Sequence, residues 1–136
     1  MAETKAKPVE LIMARNLISS LTTPAILVDE GGELVFFNDA AGTLLGRRFE
    51  EAGRMPVEEW TSRYGPFDQN GKPIPYDDIP ATVAVRDGRP THGRYVVRIA
   101  DGSEHEVDVT AVPILTPDGS LGGMVFFWIA EKGGAE

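Results

Sequence analysis

The sequence predicts an α+β domain: one antiparallel sheet, with helices gathered in the middle of the chain. Two short β-type runs near the N-terminus and an alternation of period two from Thr91 onward predict the sheet. Between them, Pro56, Pro66, Pro73 and Pro75 forbid a long element and leave room only for short helices and loop. A length of 136 residues suits a single domain with a proper core. With 42% hydrophobic and 25% charged residues, the composition is neither that of a disordered chain nor that of a fibre.

Taken in order, residues 1–8 and 132–136 read as flexible tails, 9–22 as a helix, and 24–131 as the domain proper. Leu11, Ala14, Ile18 and Leu21 recur at steps of three and four, with Met13 and Leu17 widening the stripe; this is an amphipathic helix in need of a surface to cover. Thr22, Thr23 and Pro24 end it. Ala25–Val28 and Leu34–Phe37 form a hairpin across Asp29, Glu30, Gly31, Gly32 and Glu33. Asn38 is placed to cap a short helix running to Leu45, which Gly46 ends. A helical turn or two is expected around Val57–Arg63, and Asn70-Gly71 marks a tight turn. Asp77 or Asp78 is expected to cap a further helix, with Pro80 in its first turn, Ile79 and Val83 on one face, and Gly88 at its end.

From Thr91 the register can be worked out from parity. A two-residue turn at Asp101-Gly102 would put Glu106 on the valine face, whereas a three-residue loop of Ala100, Asp101 and Gly102 pairs Val97 with His105 and Tyr95 with Val107. The second register also sets Arg98 opposite Glu104 and Arg94 opposite Asp108, so the charge pattern and the apolar pattern agree. A last strand, Gly123–Ile129, follows the turn signal at 117–120 and is apolar on both faces: Val125, Phe127 and Ile129 on one, Met124, Phe126 and Trp128 on the other.

These segments resemble a PAS domain. The resemblance is carried by Ala25–Asp29 before Gly31-Gly32, by Leu34–Asn38 leading into Asn38–Gly42 and Leu44–Gly46, by Asp78–Pro80 through Asp87–Pro90, and by Asp101-Gly102, Val109–Pro113 and Asp118-Gly119 before Gly122-Gly123. It spans about Leu11 to Glu131. It implies a five-stranded antiparallel sheet in the order 2-1-5-4-3, with helices between strands 2 and 3 and an N-terminal cap helix. It also implies a sensory or signalling role, with an inner sheet face that often holds a small molecule, and an outer face and N-terminal helix that are common homodimer surfaces. Strands 2, 1 and 5 of that order are apolar on both faces, so three adjacent strands require cover from the helix at 9–22. Leu11, Ala14, Ile18, Leu21, Phe126 and Trp128 are the expected dimer-interface residues, the helical spacing also suiting a two-helix seam.

The inner wall of a ligand site is expected from Val83, Tyr95, Val97, Ile99, His105, Val107 and Val109, apolar walls that favour an apolar guest and that core packing explains equally well. The cofactor is not identified by sequence. With no cysteine, the flavin-adduct and thioester-linked chromophores of related sensors are excluded, as are disulfides and thiolate ligands. The resemblance places an axial haem histidine on the helix before the third strand, and residues 77–88 contain none. His92, beside Pro90 and Gly93, reads as a loop residue, and two histidines without a third ligand predict no metal. Asp29, Asp77, Asp78 and Asp108 each have a structural use before a turn, before a helix or opposite Arg94, so no catalytic residue is assigned and a small isomerase or hydratase of conical fold ranks below a binding module.

The net charge of −8 repels phosphate backbones and anionic lipid, so nucleic acid and membranes are not expected partners. Leu121–Ala130, the longest apolar run, is about half the length of a bilayer span, and no signal-peptide pattern precedes it, which predicts a cytoplasmic protein. The expected partners are a second copy of the chain, an apolar small molecule and a separate signalling protein, since few residues follow Ala130. The alternative is a protein-association scaffold with a filled core. One departure from the resemblance is Trp128-Ile129-Ala130, where many PAS domains carry Asp-Ile-Thr and use the aspartate to couple to an effector.

Overall fold

Residues 9–129 are described by a computed structural model. The expected tails at 1–8 and 132–136, with residues 130 and 131, lie outside the described residues. In chain order the elements are α1 (Val9–Ser19), β1 (Ala25–Asp29), β2 (Leu34–Phe37), α2 (Asp39–Leu45), α3 (Phe49–Ala52), α4 (Val57–Tyr64), a 3-10 turn (Tyr76–Asp78), α5 (Pro80–Asp87), β3 (Thr91–Arg98), β4 (Glu104–Thr116) and β5 (Gly119–Ile129). The five strands form one sheet in the order β2-β1-β5-β4-β3, every pair antiparallel.

The sheet is the partition between two apolar cores. On its inner face Ile26, Leu34, Val109, Val125 and Phe127 pack against Trp60, Ile79, Ala81 and Ala84 from the helices. On its outer face Ala14 and Ile18 of α1 pack on Ala25, Leu27, Phe36 and Ile114, with Leu11, Leu21, Met124 and Phe126 at the margin. Strands apolar on both faces thus receive the cover they require. Arg15 extends the cover, its guanidinium 4.3 Å from the Phe36 ring centre. On β5, a side chain at Gly122 would run into the Val28 carbonyl, so only glycine lets β5 lie this close to β1.

The β3–β4 hairpin has the register derived from parity: Tyr95 faces Val107, Val97 faces His105, Arg94 faces Asp108 and Arg98 faces Glu104. Its loop closes by Ile99 N–H to the Ser103 carbonyl at 3.0 Å, with Gly102 at φ 85° in the left-handed conformation.

Three boundaries differ from the sequence reading. The helix expected over 9–22 ends at Ser19, because the Ser19 and Ser20 hydroxyls take the carbonyls of Asn16 and Leu17 and the Asn38 amide takes that of Ile18. Neither Asp77 nor Asp78 caps α5. They sit in the 3-10 turn, and Ile79 is the capping residue, extended at φ −64° and ψ 133°; Pro80 keeps the residue before it out of the helical region. The last strand begins at Gly119, not Gly123, since only Pro117 and Asp118 separate the paired Thr116 and Gly119.

Candidate functional site

Local sequence positions the walls of an inner cavity. The Asn38 side chain accepts from Ala41 N–H at 2.9 Å to start α2, and left-handed Gly46 ends it. That single helical stretch brings Leu44 and Leu45 under the sheet. Helix α4 enters on Pro56 and is held by Trp60, whose indole N–H donates to the Gly32 carbonyl at 2.9 Å. Just beyond α4, Phe67 pairs with Val96 through both backbone groups, at 2.8 and 3.0 Å, which fixes Tyr64, Gly65 and Pro66 against β3. Helix α5 supplies Pro80 and Ala81 from above, with its capping residue Ile79.

Between these helices and the sheet lies a cavity of about 80 Å³, with Ile26, Leu34, Val97, Ile99, Val109, Val125 and Phe127 from the sheet side and Leu44, Trp60, Tyr64 and Ile79 among the helical residues. No Asp, Glu, His, Lys or Arg lines it. Trp60 and Ala81 also border a groove of about 240 Å³ that carries Asp29, Tyr76, Asp77 and Arg86, so Trp60 stands between the buried space and the acidic outer groove.

Of the residues the sequence assigned to a ligand wall, Val97, Ile99 and Val109 line this cavity. Val83, Tyr95, His105 and Val107 do not. Val107 is fully buried in the core, Tyr95 is half-buried beside it, and His105 belongs to the hairpin. Burial pushes the Tyr95 hydroxyl pKa up, and the charge of Asp78 adds to that shift. Trp60 and Tyr64 escaped the sequence reading because they come from the proline-broken middle, where no periodicity assigns an inner face; Leu44 and Leu45 escaped it because a helix as short as α2 has too few apolar positions to show which side faces the sheet.

Of the residues assigned to a dimer surface, Ala14 and Ile18 are buried, at 7% and 0% exposure, against the subunit's own sheet. Leu11, Leu21 and Phe126 flank the same core, and Trp128 is exposed at 43%. The outward side of α1 carries a second apolar stripe that the helical pattern also contained: Val9, Ile12, Met13 and Leu17 are 44 to 64% exposed.

The polar candidates are occupied locally. Asp108 accepts from Arg94 Nε at 3.0 Å at the surface, and Asp29 accepts from Gly31 N–H and Glu33 N–H in its turn. His92 Nδ1 lies 3.1 Å from the Thr110 hydroxyl and is exposed. Where the β3–β4 loop enters β4, Asp101, Ser103 and His105 form a short chain. The Ser103 hydroxyl donates to Asp101, and His105 Nε2 lies 2.9 Å from the same hydroxyl oxygen. Because the hydroxyl's one proton goes to the carboxylate, the imidazole donates to Ser103 and does not act as its base, which is the reverse of a nucleophilic triad. Ser103, by its side chain and its backbone N–H, holds the Asp101 carboxyl below its ordinary pKa. Among the described residues no three His, Asp or Glu side chains are placed to hold a metal ion, and no helix is long and apolar enough to cross a membrane.

The family model of the PAS fold matches residues 13–129. Solved structures share the arrangement at low identity. The PAS domain of a protein from Colwellia psychrerythraea is similar at 18% identity and a TM-score of 0.63, over 90% of this chain and 98% of that one. VqmA bound to DPO is similar at 18% identity and a TM-score of 0.56, over 89% of this chain and 58% of that one. The Vibrio cholerae VqmA dimer in the absence of target DNA is similar at 19% identity and a TM-score of 0.57, over 88% of this chain and 51% of that one. The chain therefore spans little more than half of the VqmA chains it matches. No curated protein matches it.

Proposed function

Because the chain belongs to the PAS family of sensory and signalling domains, we propose that it homodimerises and binds a small apolar molecule noncovalently. The observation that carries this reading is the cavity of about 80 Å³ between the sheet and three helices, lined almost wholly by hydrocarbon. Val97, Ile99 and Val109 are its proposed sheet-side contacts, with Tyr95, His105 and Val107 beside them in the β3–β4 hairpin. VqmA, similar in fold, has been seen bound to DPO and as a dimer.

The dimer surface we propose is the outward stripe of α1. Val9, Met13 and Leu17 recur every four residues with Ile12 alongside, the pattern of a two-helix seam, while Ala14 and Ile18 hold the helix to its own sheet. Trp128, on the same sheet face as Phe126, is its proposed neighbour. The signal then leaves through a change in association or a separate signalling protein, in the cytoplasm.

A second reading, an association scaffold with a filled core, is favoured by the size of the cavity, which is well below the roughly 300–1,000 Å³ of ordinary ligand pockets. Native mass spectrometry of protein purified from its own host separates the two. A retained small molecule supports sensing, and a clean apoprotein mass under gentle conditions supports the scaffold.

A further inference from the structure

We infer that the guest of the inner cavity is a light hydrocarbon of about three or four heavy atoms, with no hydrogen-bonding group of its own; this rests on the ligand-sensing reading above. The wall such a guest meets is itself hydrocarbon, with Val97, Ile99, Val109 and Val125 from the sheet facing Leu44 and Leu45 of α2. Only two lining side chains, Trp60 and Tyr64, carry a polar atom, and neither presents it to the cavity. The Trp60 indole N–H is engaged by the Gly32 carbonyl at 2.9 Å, and the Tyr64 hydroxyl has essentially no accessible surface. The backbone adds essentially no polar surface either.

The polarity of the guest follows from that wall. A hydroxyl or carbonyl group entering the cavity gives up its bonds to water and receives none in return, and a charged group gives up more. Water itself is a poor occupant, since an ordered buried water takes about two to four polar neighbours. A hydrocarbon loses no hydrogen bond on entry and gains contact with apolar side chains on every side. The size of the guest follows from the volume. A cavity of about 80 Å³ is roughly half the engineered apolar cavity of about 150 Å³ that accepts benzene, so it holds roughly half of benzene's six carbons, or slightly more.

The test compares isobutene with acetone, its isostere in which a carbonyl oxygen replaces the methylene group, and with benzene as the larger hydrocarbon. Each is titrated into the full chain. Occupancy of the cavity is read from nuclear Overhauser contacts between the guest and the methyl groups of Val97, Ile99 and Val109, and Kd from the shifts of those methyl signals. Isobutene is expected to bind at least about thirtyfold more tightly than acetone, the low end of the loss when a polar group is buried without a partner. Benzene is expected to bind more weakly than isobutene despite its greater apolar area, because it does not fit. If acetone binds as tightly as isobutene, the wall supplies a polar partner and the hydrocarbon assignment is overturned while the cavity remains a ligand site. If benzene binds more tightly than isobutene, the limit of three or four heavy atoms is overturned. If none of the three touches the wall methyl groups, the ligand-sensing reading itself falls, and this inference with it.

Discussion

Asn38 makes four side-chain hydrogen bonds from a position that is 2% exposed. Its amide donates to the carbonyls of Ile18 and Thr23 at 2.8 and 2.9 Å, and its oxygen accepts from Ala25 N–H and Ala41 N–H at 3.1 and 2.9 Å. One side chain therefore ends α1, fixes the start of β1 and starts α2. The sequence reveals only the last of these roles, because a capping asparagine is a local signal whereas its bonds to residues 18 and 23 depend on the closed sheet. Asn38→Ala removes four hydrogen bonds and leaves Ala25 N–H and Ala41 N–H without their side-chain acceptor, while the Ile18 carbonyl keeps Leu21 N–H at 3.1 Å; it should cost about 2–4 kcal/mol in chemical denaturation. Asn38→Asp should be at least as harmful, since a carboxylate faces two carbonyls it cannot donate to, and hydrogen exchange should show α1 opening first. Asp101 provides a test of opposite character. Its carboxyl pKa lies below the ordinary 3.8, chiefly because the Ser103 hydroxyl donates to it. A depressed carboxyl contributes stability that is present above its unfolded-state pKa and lost as pH falls through the folded-state value, so this contribution disappears on the acid side of 3.8. In Ser103→Ala the Asp101 carboxyl carbon should titrate closer to its ordinary value by NMR; an unmoved titration would mean that the hydroxyl is not the cause.

At the scale of elements, the β3–β4 hairpin was legible in full because two independent patterns, the valine face and the Arg94–Asp108 and Arg98–Glu104 pairs, demand one register. The start of α5 was not legible, because an aspartate before a helix and a proline in its first turn are both good signals, and the proline overrides the aspartate by holding Ile79 extended. The middle of the chain was least legible: Trp60 and Tyr64 reach the cavity through the pairing of Phe67 with Val96, a contact between segments that share no pattern. Helix α1 shows the limit in another form. Its apolar residues fall on two sides, and periodicity alone does not say which side meets the sheet. The structure separates them, which gives a paired prediction. Met13→Glu with Leu17→Glu should convert dimers to monomers in sedimentation with little loss of stability, because both positions are exposed in the subunit. Ile18→Ala should instead destabilise by about 2–5 kcal/mol, since Ile18 is fully buried where α1 meets the sheet. Dimers that persist in the double variant would remove α1's outward stripe as the interface.

For the whole molecule, the decisive relation is that one sheet has a core on each side. The inner core contains the cavity, the outer core is completed by α1, and β1 contributes to both, with Ile26 inward and Leu27 outward. Tightly packed interiors transmit a change in volume because they have little slack to absorb it, so filling the inner side bears on the seat of α1 through a sheet one strand thick. Whether the cavity is usable space or a gap of no consequence can be read from a single methylene. Val109→Ile adds one at a buried position on the cavity wall. If the space is available, the ligand-free variant should gain about 0.5–1 kcal/mol and melt a few degrees higher, as cavity-filling substitutions commonly do. The same variant, purified from its own host, should retain less of any guest the wild type carries. A loss of about 1–3 kcal/mol, the ordinary penalty for overpacking, would mean that the core is already full, and the association scaffold would then become the better account of the domain.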